Sequence, residues 1–392
     1  MASSRTSRDP VVRALFEALA CGSRVPTVHD EEGEAIEPRT PTGADVDRHT
    51  HGFHTWPAGL HPDAAAGLLA LLPAGPVADP FCGGGTVLVE AMLAGRPAFG
   101  SDLSPVAARV ARLRTARLDD DALTSFRSAA RRATEVARTA TDLPDEAARK
   151  VLDRWYEPHV LAELESLRRS AASAPEPVRA LLEGCLSAIA IKASLRQSDT
   201  RAARVTHHRP RGTTAILFHK KARELARRIA SFREAVPAGT PAAMIREGDA
   251  RGLRLPAPVA GILTSPPYPG VYDYLPMQLL RHVWLGLRPE AQARRELGSR
   301  RAFKGDSLEA RRRWREDSVQ WMRAASAALQ PQGRLLVVIG DGQVGPKVIG
   351  SAEPTLESAA EAGFRLVARA SRGLPATQPA RQEHALLFEK GG

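Results

Sequence analysis

Short apolar segments alternate with amphipathic segments along this chain, and their order predicts an α/β fold. Seven short segments with apolar residues end beside turn or polar residues, which is typical of buried strands. They are residues 77–78, 97–100, 243–247, 259–263, 334–339, 364–370 and 384–389. Periodic apolar positions predict helices over 11–20, 68–72 and 86–94. The order strand, loop, helix, strand over 77–100 opens a doubly wound sheet, and we expect its last two strands to be antiparallel.

The stretch from about residue 105 to 231 shows helical spacing alone. Leu161, Leu164 and Leu167 recur at this spacing, and Leu186 and Ile189 continue it. Such a stretch is too long to connect two neighbouring strands. We therefore predict a lead-in at 1–50, a core at 51–110 and 243–392 that contains a seven-stranded doubly wound sheet, and a helical insertion over 111–242.

Composition agrees with a packed globular protein. Hydrophobic residues make up 43% and charged residues 25% of the 392 residues. No apolar segment approaches the roughly 20 residues that span a bilayer, and residues 1–10 lack the apolar segment of a secretory signal. Three widely spaced cysteines, Cys21, Cys82 and Cys185, indicate neither a disulfide framework nor a zinc site. We expect a cytoplasmic protein without membrane contact.

The formal charge of +11 is concentrated in two regions of the chain. Residues 190–230 contain eleven lysines and arginines against two acidic residues, and residues 281–317 contain eleven against six. A clustered cationic surface attracts a polyanion and releases counterions from a phosphate backbone. Solvated helices of an arginine-rich protein would explain the basic runs equally well.

A glycine-rich loop follows the first predicted strand. It reads Asp79-Pro80-Phe81-Cys82-Gly83-Gly84-Gly85-Thr86, and Thr86 begins a predicted helix whose N–H groups favour an anionic ligand group. The loop matches neither the P-loop nor the dinucleotide fingerprint, which argues against ATP and dinucleotides.

Two further acidic residues follow predicted strands. Asp102 lies 23 positions after Asp79, and a carboxylate there can accept hydrogen bonds from ribose hydroxyls. The alternative role of Asp102 is to cap the helix that begins at Pro105. Asp249 follows the third strand within Gly248-Asp249, which is also common turn chemistry.

The fourth predicted strand leads into Thr264-Ser265-Pro266-Pro267-Tyr268. The two prolines restrict the backbone, so that a hydroxyl, a carbonyl and an aromatic ring are presented together at the end of a strand. An ordinary turn after a strand is the alternative interpretation.

Together these motifs resemble those of the N4-cytosine/N6-adenine DNA amino-methyltransferases, over roughly residues 51–110 and 243–390. The cofactor loop resembles the D-P-F-x-G-x-G-T loop of amino-methyltransferases and related RNA methyltransferases, although Gly84 replaces the more usual serine. The resemblance implies a Rossmann-like class I methyltransferase sheet and S-adenosylmethionine as the cofactor. It assigns cofactor contacts to His54, Trp56, Asp79, Phe81, Gly83, Gly85, Thr86, Asp102 and Asp249.

In the same resemblance, Ser265, Pro266, Pro267 and Tyr268 form the catalytic loop. The Ser265 hydroxyl and the Pro266 carbonyl accept hydrogen bonds from an exocyclic amino group, and Tyr268 stacks on the base, which has left its helix. Serine at this position favours cytosine N4 over adenine N6. Carbon-5 methylation is disfavoured, because no cysteine lies near the loop.

The expected partner is DNA, with RNA as the alternative and a non-catalytic nucleic-acid-binding relative as the third hypothesis. The polar and cationic segment over 192–211 is suited to phosphates. Its candidate residues are Lys192, Arg196, Arg201, Arg204, Arg209 and Arg211. No metal is expected, because His51 and His54 lack a cysteine or carboxylate to complete a site.

Overall fold

The structure is a computed structural model of the chain. It describes residues 9–21, 28–29, 35–36, 46–57, 59–288, 290–304, 308–344, 347–374 and 380–391. Most of the predicted lead-in therefore lies outside the described residues. The part of it that is described includes helix α1, Pro10–Ala20, whose first turn is capped by the Asp9 carboxylate, and a short antiparallel pair of strands, Val28–His29 and Ala35–Ile36.

A seven-stranded sheet forms the centre of the molecule, as predicted. Its strands are β1 Val77–Asp79, β2 Ala98–Asp102, β3 Met244–Glu247, β4 Val259–Thr264, β5 Leu329–Gly340, β6 Phe364–Gly373 and β7 Gln382–Lys390. They are arranged in the order β6-β7-β5-β4-β1-β2-β3. The first five strands pair in parallel, whereas β7 pairs antiparallel with both β5 and β6. This order is that of a Rossmann-like class I methyltransferase sheet, so the predicted fold class is confirmed.

Parallel pairing brings the carboxyl ends of the central strands to one edge of the sheet. Asp79 is level with Gly100, and Asp102 is level with Glu247. Ligands of open α/β sheets bind at this edge, where the order of strands reverses. The loops that follow β1, β2, β3 and β4 therefore meet there.

Fourteen described helices surround and extend the sheet. After α1 they are α2 Pro62–Leu69, α3 Thr86–Leu93, α4 Pro105–Arg114, α5 Asp120–Ala137, α6 Glu146–Leu152, α7 Pro158–Ala172, α8 Val178–Ala193, α9 Thr213–Ala235, α10 Tyr274–Met277, α11 Leu279–Trp284, α12 Glu290–Ala293, α13 Leu308–Ala328 and α14 Ala352–Glu361. Helices α1, α2 and α3 pack on one face of the sheet, and α13 and α14 pack on the other.

The helix expected over 68–72 is displaced in the structure. Helix α2 begins at Pro62, where the His61 side chain accepts a hydrogen bond from the Asp63 N–H at 3.2 Å, and it ends at Leu69. The expectation was wrong in position because a proline at the first turn and a capping side chain set the start of a helix more strongly than apolar spacing does.

Helices α5 to α9 build a separate hydrophobic core within the predicted insertion. This core contains Phe126, Trp155 and Phe218, and it also buries Phe53, Leu280 and Trp284 from outside the insertion. The start of α9 is held by the buried Glu163 on α7, whose carboxylate accepts the N–H groups of Gly212 at 2.7 Å and Ala215 at 3.0 Å. The helical layer is thus attached to the segments that border the carboxyl edge of the sheet.

No helix in the described ranges has both the length and the apolar character to cross a membrane. Among those same residues, no group of three or more histidine, cysteine, aspartate or glutamate side chains could hold a metal ion.

Candidate active site

One pocket opens at the carboxyl edge of the sheet, between the loops after β1, β2, β3 and β4. Its empty volume is about 1010 Å³, which includes space that is open to solvent. Its lining includes nine of the predicted cofactor and catalytic residues, namely Trp56, Asp79, Phe81, Gly83, Thr86, Asp102, Asp249, Ser265 and Pro267. Residues separated by up to about two hundred positions along the chain therefore share one cavity.

The glycine loop requires residues without side chains at two positions. Gly83 has φ +48°, and a Cβ on it would lie 2.8 Å from the indole nitrogen of Trp56. Gly85 has φ +83°, and its Cβ would lie 3.0 Å from the Cα of Ala111 on α4. Both the backbone conformation and the close neighbours exclude larger residues, so the loop can press tightly against Trp56 and α4.

Asp79 connects the glycine loop to the predicted catalytic loop. Its carboxylate is buried and accepts hydrogen bonds from the Phe81 N–H at 3.1 Å and from the Thr264 hydroxyl at 2.7 Å. Burial raises the pKa of Asp79 to about 7, against the opposing effect of these two hydrogen bonds. Thr264 immediately precedes Ser265, and its role was not predicted. The signal available in the sequence was a hydroxyl residue at the end of a buried strand.

Asp102 holds the glycine loop from the other side. Its carboxylate accepts hydrogen bonds from the N–H groups of Gly83 and Ser104, both at 2.8 Å, and burial raises its pKa to about 6. The alternative role of Asp102 as the cap of α4 is excluded, because the Ser104 side chain caps that helix by accepting the Ala107 N–H at 3.3 Å. Each carboxylate oxygen of Asp102 retains a second lone pair for a ligand hydroxyl.

Asp249 lines the same pocket but is already paired with two arginines. Its carboxylate lies 2.7 Å from Arg251 Nη2 and 3.1 Å from Arg295 Nη2. Burial acts to raise the pKa of Asp249, but the hydrogen bonds and charge of Arg251, together with the charge of Arg295, outweigh it and hold the pKa below its usual value. Asp249 also caps a short 3₁₀ turn, as the turn interpretation expected.

The two aromatic side chains predicted upstream of the loop are used differently. Trp56 lines the pocket beside Gly83 and Gly84. His54 is buried away from the pocket, where its ring nitrogens contact the Thr55 carbonyl and the Ser187 hydroxyl, each at 2.9 Å. Burial, assisted by nearby cationic groups, lowers the pKa of His54 well below its ordinary value. The ring is therefore neutral and packs as part of the protein interior.

A residue that sequence reasoning missed holds this segment against the glycine loop. The guanidinium of Arg114 is buried and donates to the carbonyls of Gly84, at 3.1 Å, and His54. Burial lowers the pKa of Arg114 to about 10. Nothing in the sequence distinguishes Arg114 from the other arginines of α4, so only the tertiary contact reveals it.

The four residues of the predicted catalytic loop divide between the pocket and the sheet. Ser265 and Pro267 line the pocket, whereas Pro266 is buried. Tyr268 packs its ring against Gly340 at the end of β5 and donates its hydroxyl to Glu383 at 2.8 Å. It does not line the pocket, because this hydrogen bond and the ring contact turn it toward the sheet.

Tyr274 is the tyrosine that lines the pocket instead. Its backbone N–H donates to Glu296 at 2.5 Å, and the N–H of Leu275 donates to the same carboxylate at 3.3 Å. Burial raises the pKa of Glu296. With Asp79, Asp102 and Asp249, Glu296 makes the pocket wall predominantly acidic, since Arg295 is the cationic residue of that wall. An acidic wall suits a ligand that carries positive charge.

The predicted nucleic-acid-binding residues do not act as one exposed group. Arg196 is buried and donates to the carbonyls of Ser198, at 3.0 Å, and Asp199, at 2.8 Å. Arg209 is half-buried and donates to the Lys192 carbonyl. These two arginines shape the 194–212 segment. The side chains that remain exposed are those of Lys192, Arg201, Arg204 and Arg211.

Comparison with known proteins identifies a family model that matches residues 51–143. It is the model of UPF0020, described as the RMKL-like methyltransferase domain. The matched range contains Trp56, the glycine loop and Asp102, and ends before the catalytic loop. No curated protein matches the chain.

Several solved structures are similar at low identity. TrmN from Thermus thermophilus is 15% identical, with 85% of this chain and 50% of that chain covered and a TM-score of 0.33. The rRNA methyltransferase aviRa from Streptomyces viridochromogenes is 14% identical over 90% and 94% of the two chains, with a TM-score of 0.34. A possible methylase from Clostridium difficile 630 is 11% identical over 91% and 58%, with a TM-score of 0.37. The chain thus spans half the length of TrmN.

The expected family was wrong. The matched model is that of an RMKL-like methyltransferase domain and not that of a DNA amino-methyltransferase. The glycine loop could not decide between them, because its D-P-F-x-G-x-G-T pattern occurs in both amino-methyltransferases and related RNA methyltransferases. The match spans the loop itself: residues 51–143 are similar to a methyltransferase domain, which supports methyl transfer as the class of reaction and agrees with S-adenosylmethionine as the cofactor.

Proposed function

We propose that this enzyme methylates an exocyclic amino group of a base in RNA. The observation that carries the proposal is the shared pocket: Ser265 and Pro267 line the same cavity as Asp79, Gly83 and Asp102. An acceptor amine at Ser265 therefore lies next to the cofactor loop, which is the first requirement of a direct transfer.

The acidic wall of the pocket favours the bound cofactor. S-adenosylmethionine, when bound, supplies a methyl group on a positively charged sulfur. The buried carboxylates of Asp79 and Asp102 are stabilised in the charged form by such a neighbour, which reverses the effect of burial on their pKa values. Asp102 accepts hydrogen bonds from ribose hydroxyls through its remaining lone pairs.

The catalytic loop activates the acceptor. The Ser265 hydroxyl accepts a hydrogen bond from an N–H group of the amine, which increases the electron density on nitrogen as the N–C bond forms. The proton is lost after the transfer, so the mechanism needs no strong base. Because Tyr268 is held on the sheet by Glu383, Tyr274 is the aromatic ring on the pocket wall that contacts the base.

RNA is the substrate class that the family match favours. The cofactor loop is shared between amino-methyltransferases and related RNA methyltransferases, and the match to an RMKL-like domain favours the second group. RNA also offers unstacked bases in loops and bulges, which enter a pocket without the energetic cost of leaving a duplex.

The test incubates the purified chain with S-adenosylmethionine that carries a deuterated methyl group, together with total RNA or genomic DNA in separate reactions. We expect a deuterated N-methyl nucleoside in the RNA digest, identified by mass spectrometry. Label confined to the DNA digest, or label on a ring carbon or ribose, would overturn the proposal.

A matched pair of serine variants separates chemistry from folding. We expect Ser265→Ala to lower the rate of transfer by roughly 10²–10³ with little change in cofactor affinity, since one preorganised acceptor is lost. Ser173→Ala, just after α7, removes an exposed hydroxyl that donates to the Arg169 carbonyl at 3.0 Å and should leave the rate unchanged. Equal rates in the two variants would contradict the role of Ser265.

A further inference from the structure

Helix α9 carries a row of cationic side chains that pair with no other side chain in the part of the chain that the structure describes. Lys220, Arg223 and Arg227 are spaced by three and four residues, so they share one face of the helix. All three are exposed, and within the described ranges none of their side chains makes a hydrogen bond or ion pair. At 1.5 Å per residue the row is about 10 Å long.

Helix α5 carries a matching row. Arg127 and Arg131 on the helix and Arg138 at its C-cap are four and seven residues apart, which again places them on one face, and all three are exposed. Arg131 has a distant partner in Glu135, at 3.9 Å, with about two thirds of each side chain exposed to solvent. An exposed pair of this kind neutralises little charge.

The two rows run beside each other. Near the start of α9, Arg211 contacts the Ala140 carbonyl just after α5 at 3.5 Å, and near its end Arg233 contacts Asp120 at the start of α5 at 3.0 Å. The helices are therefore antiparallel neighbours, which brings Arg131 roughly level with Lys220. Both pack inward on α7 and α8, so their exposed faces form one outer surface.

Most of the exposed acidic residues of this helix pair lie apart from the cationic rows. Asp120, Asp121 and Glu234 lie together at the far end of the pair, and Glu135 is the exposed acid that lies within the rows. An ordinary solvated face would mix both signs along its length. Here the charge is sorted, which indicates an anionic partner.

The inner cations of α9 connect this surface to the pocket. Lys221 donates to the Phe53 carbonyl at 3.0 Å, and Arg228 donates to the His49 carbonyl at 2.7 Å. Both also pair with Glu224. The segment that they hold leads directly to Trp56 on the pocket wall. These contacts thus join the helix that carries the cationic row to a segment that lines the active site.

We infer that the outer faces of α5 and α9 form a surface that binds the phosphate backbone of the RNA substrate while one of its bases occupies the pocket. This inference rests on the proposed function for the identity of the polyanion. It places the recognition of the backbone on Arg127, Arg131, Arg138, Lys220, Arg223 and Arg227, none of which belongs to the 192–211 segment that the sequence suggested.

The test measures binding of a transfer-RNA pool by fluorescence anisotropy at several salt concentrations, without cofactor. We expect the triple variant Lys220→Gln, Arg223→Gln, Arg227→Gln to bind roughly tenfold more weakly or worse, with the slope of log K against log salt reduced by about 2. The triple variant Arg127→Gln, Arg131→Gln, Arg138→Gln should show the same loss of affinity and the same reduction in salt slope. Binding of S-adenosylhomocysteine should stay unchanged in both.

The control removes three positive charges from another exposed helix. Arg312→Gln, Arg313→Gln, Arg323→Gln alters side chains of α13 that are paired with Glu309, Glu316 or Glu361. We expect its salt slope to equal that of the unaltered protein. An equal loss in the control, an unchanged slope in either test variant, or tighter binding of a DNA duplex than of RNA would overturn the inference.

Because binding is measured without methyl transfer, the two proposals fail separately. If the salt slope falls in the test variants but the unaltered protein methylates no RNA, the proposed reaction is rejected and the binding surface is retained. If both triple variants methylate RNA as fast as the unaltered protein, the binding surface is rejected and the proposed reaction is retained.

Discussion

At the scale of single residues, the site depends on two carboxylates that the protein keeps out of water. Asp79 and Asp102 each accept two hydrogen bonds, yet burial dominates and raises their pKa values to about 7 and about 6. Without a cation nearby, Asp79 is partly protonated at neutral pH, and both groups are largely protonated in mildly acidic solution. The binding of a positively charged cofactor must therefore displace protons from them.

This predicts that cofactor affinity rises with pH. In the folded protein without ligand both pKa values lie above the ordinary 3.8. The stability that the two groups contribute is thus fully present below about pH 4 and is lost as pH rises toward about 7. The ionised forms favour the cationic ligand, so affinity for S-adenosylmethionine should increase from about pH 5.5 to about pH 8.

Calorimetry in buffers of different ionisation enthalpy measures this proton release. At about pH 6.5 binding should release protons, and Asp79→Asn should weaken binding and reduce the number released. Asp153→Asn, which alters an exposed carboxylate of the helical layer, serves as the control. Affinity that is independent of pH in the unaltered protein would argue against this role of the two carboxylates.

At the scale of elements, a buried ion pair joins the segment after the catalytic loop to the helical layer. Arg281 on α11 is 1% exposed and pairs with Asp199, which follows α8. It also donates to the Gln278 side chain at 2.8 Å and to the Ser187 carbonyl at 3.1 Å. Ser187 in turn contacts His54. Three segments around the pocket are therefore connected through one guanidinium.

We predict that Arg281→Ala lowers the free energy of unfolding by roughly 3–5 kcal/mol, because the Asp199 carboxylate is left buried without its partner. The double variant Arg281→Met, Asp199→Leu should recover part of this loss, since neither charge remains. Arg149→Ala, which breaks the exposed pair with Asp153, should cost less than about 1 kcal/mol. Denaturant titrations measure all three, and equal losses in Arg281→Ala and Arg149→Ala would contradict the prediction.

At the scale of the whole molecule, the sheet and the helical layer share side chains across their boundary. Phe53, Leu280 and Trp284 belong to the core of the helical layer although they lie outside its predicted range. Phe232 and Val236, at the end of that range, pack in the core on one face of the sheet. The residues that line the pocket lie outside 111–242, and the side chains shared across the boundary connect them to the helical layer, so we expect the ligand to stabilise both parts.

We therefore predict a single unfolding transition that shifts as a unit on ligand binding. Helical circular dichroism and tryptophan fluorescence should report the same midpoint. S-adenosylhomocysteine at 100 times its Kd should add about 2.7 kcal/mol to the free energy of unfolding. Two transitions, of which the ligand moves one, would show instead that residues 111–242 unfold as an independent domain.

Much of the fold could be predicted from the chain because its signals are local. The strand positions, the glycine loop and the start of α3 at Thr86 follow from apolar runs and from residues that tolerate unusual backbone angles. The start of α2 was missed, because its capping by His61 competes with apolar spacing. Thr264, Arg114, Glu296 and Tyr274 were not predicted as site residues, since each acquires its role from a neighbour that is distant in sequence.

The sequence by itself determined the sheet, the cofactor and the class of reaction, because strands, tight turns and loop glycines depend on neighbouring residues. The tertiary structure decided which side chains meet. It placed Ser265 in the pocket with Asp79, turned Tyr268 onto Glu383 and buried Arg196 within its own segment. It also set the exposed cations of α5 and α9 side by side, since helix packing, and not the order of the chain, determines which charges share a surface.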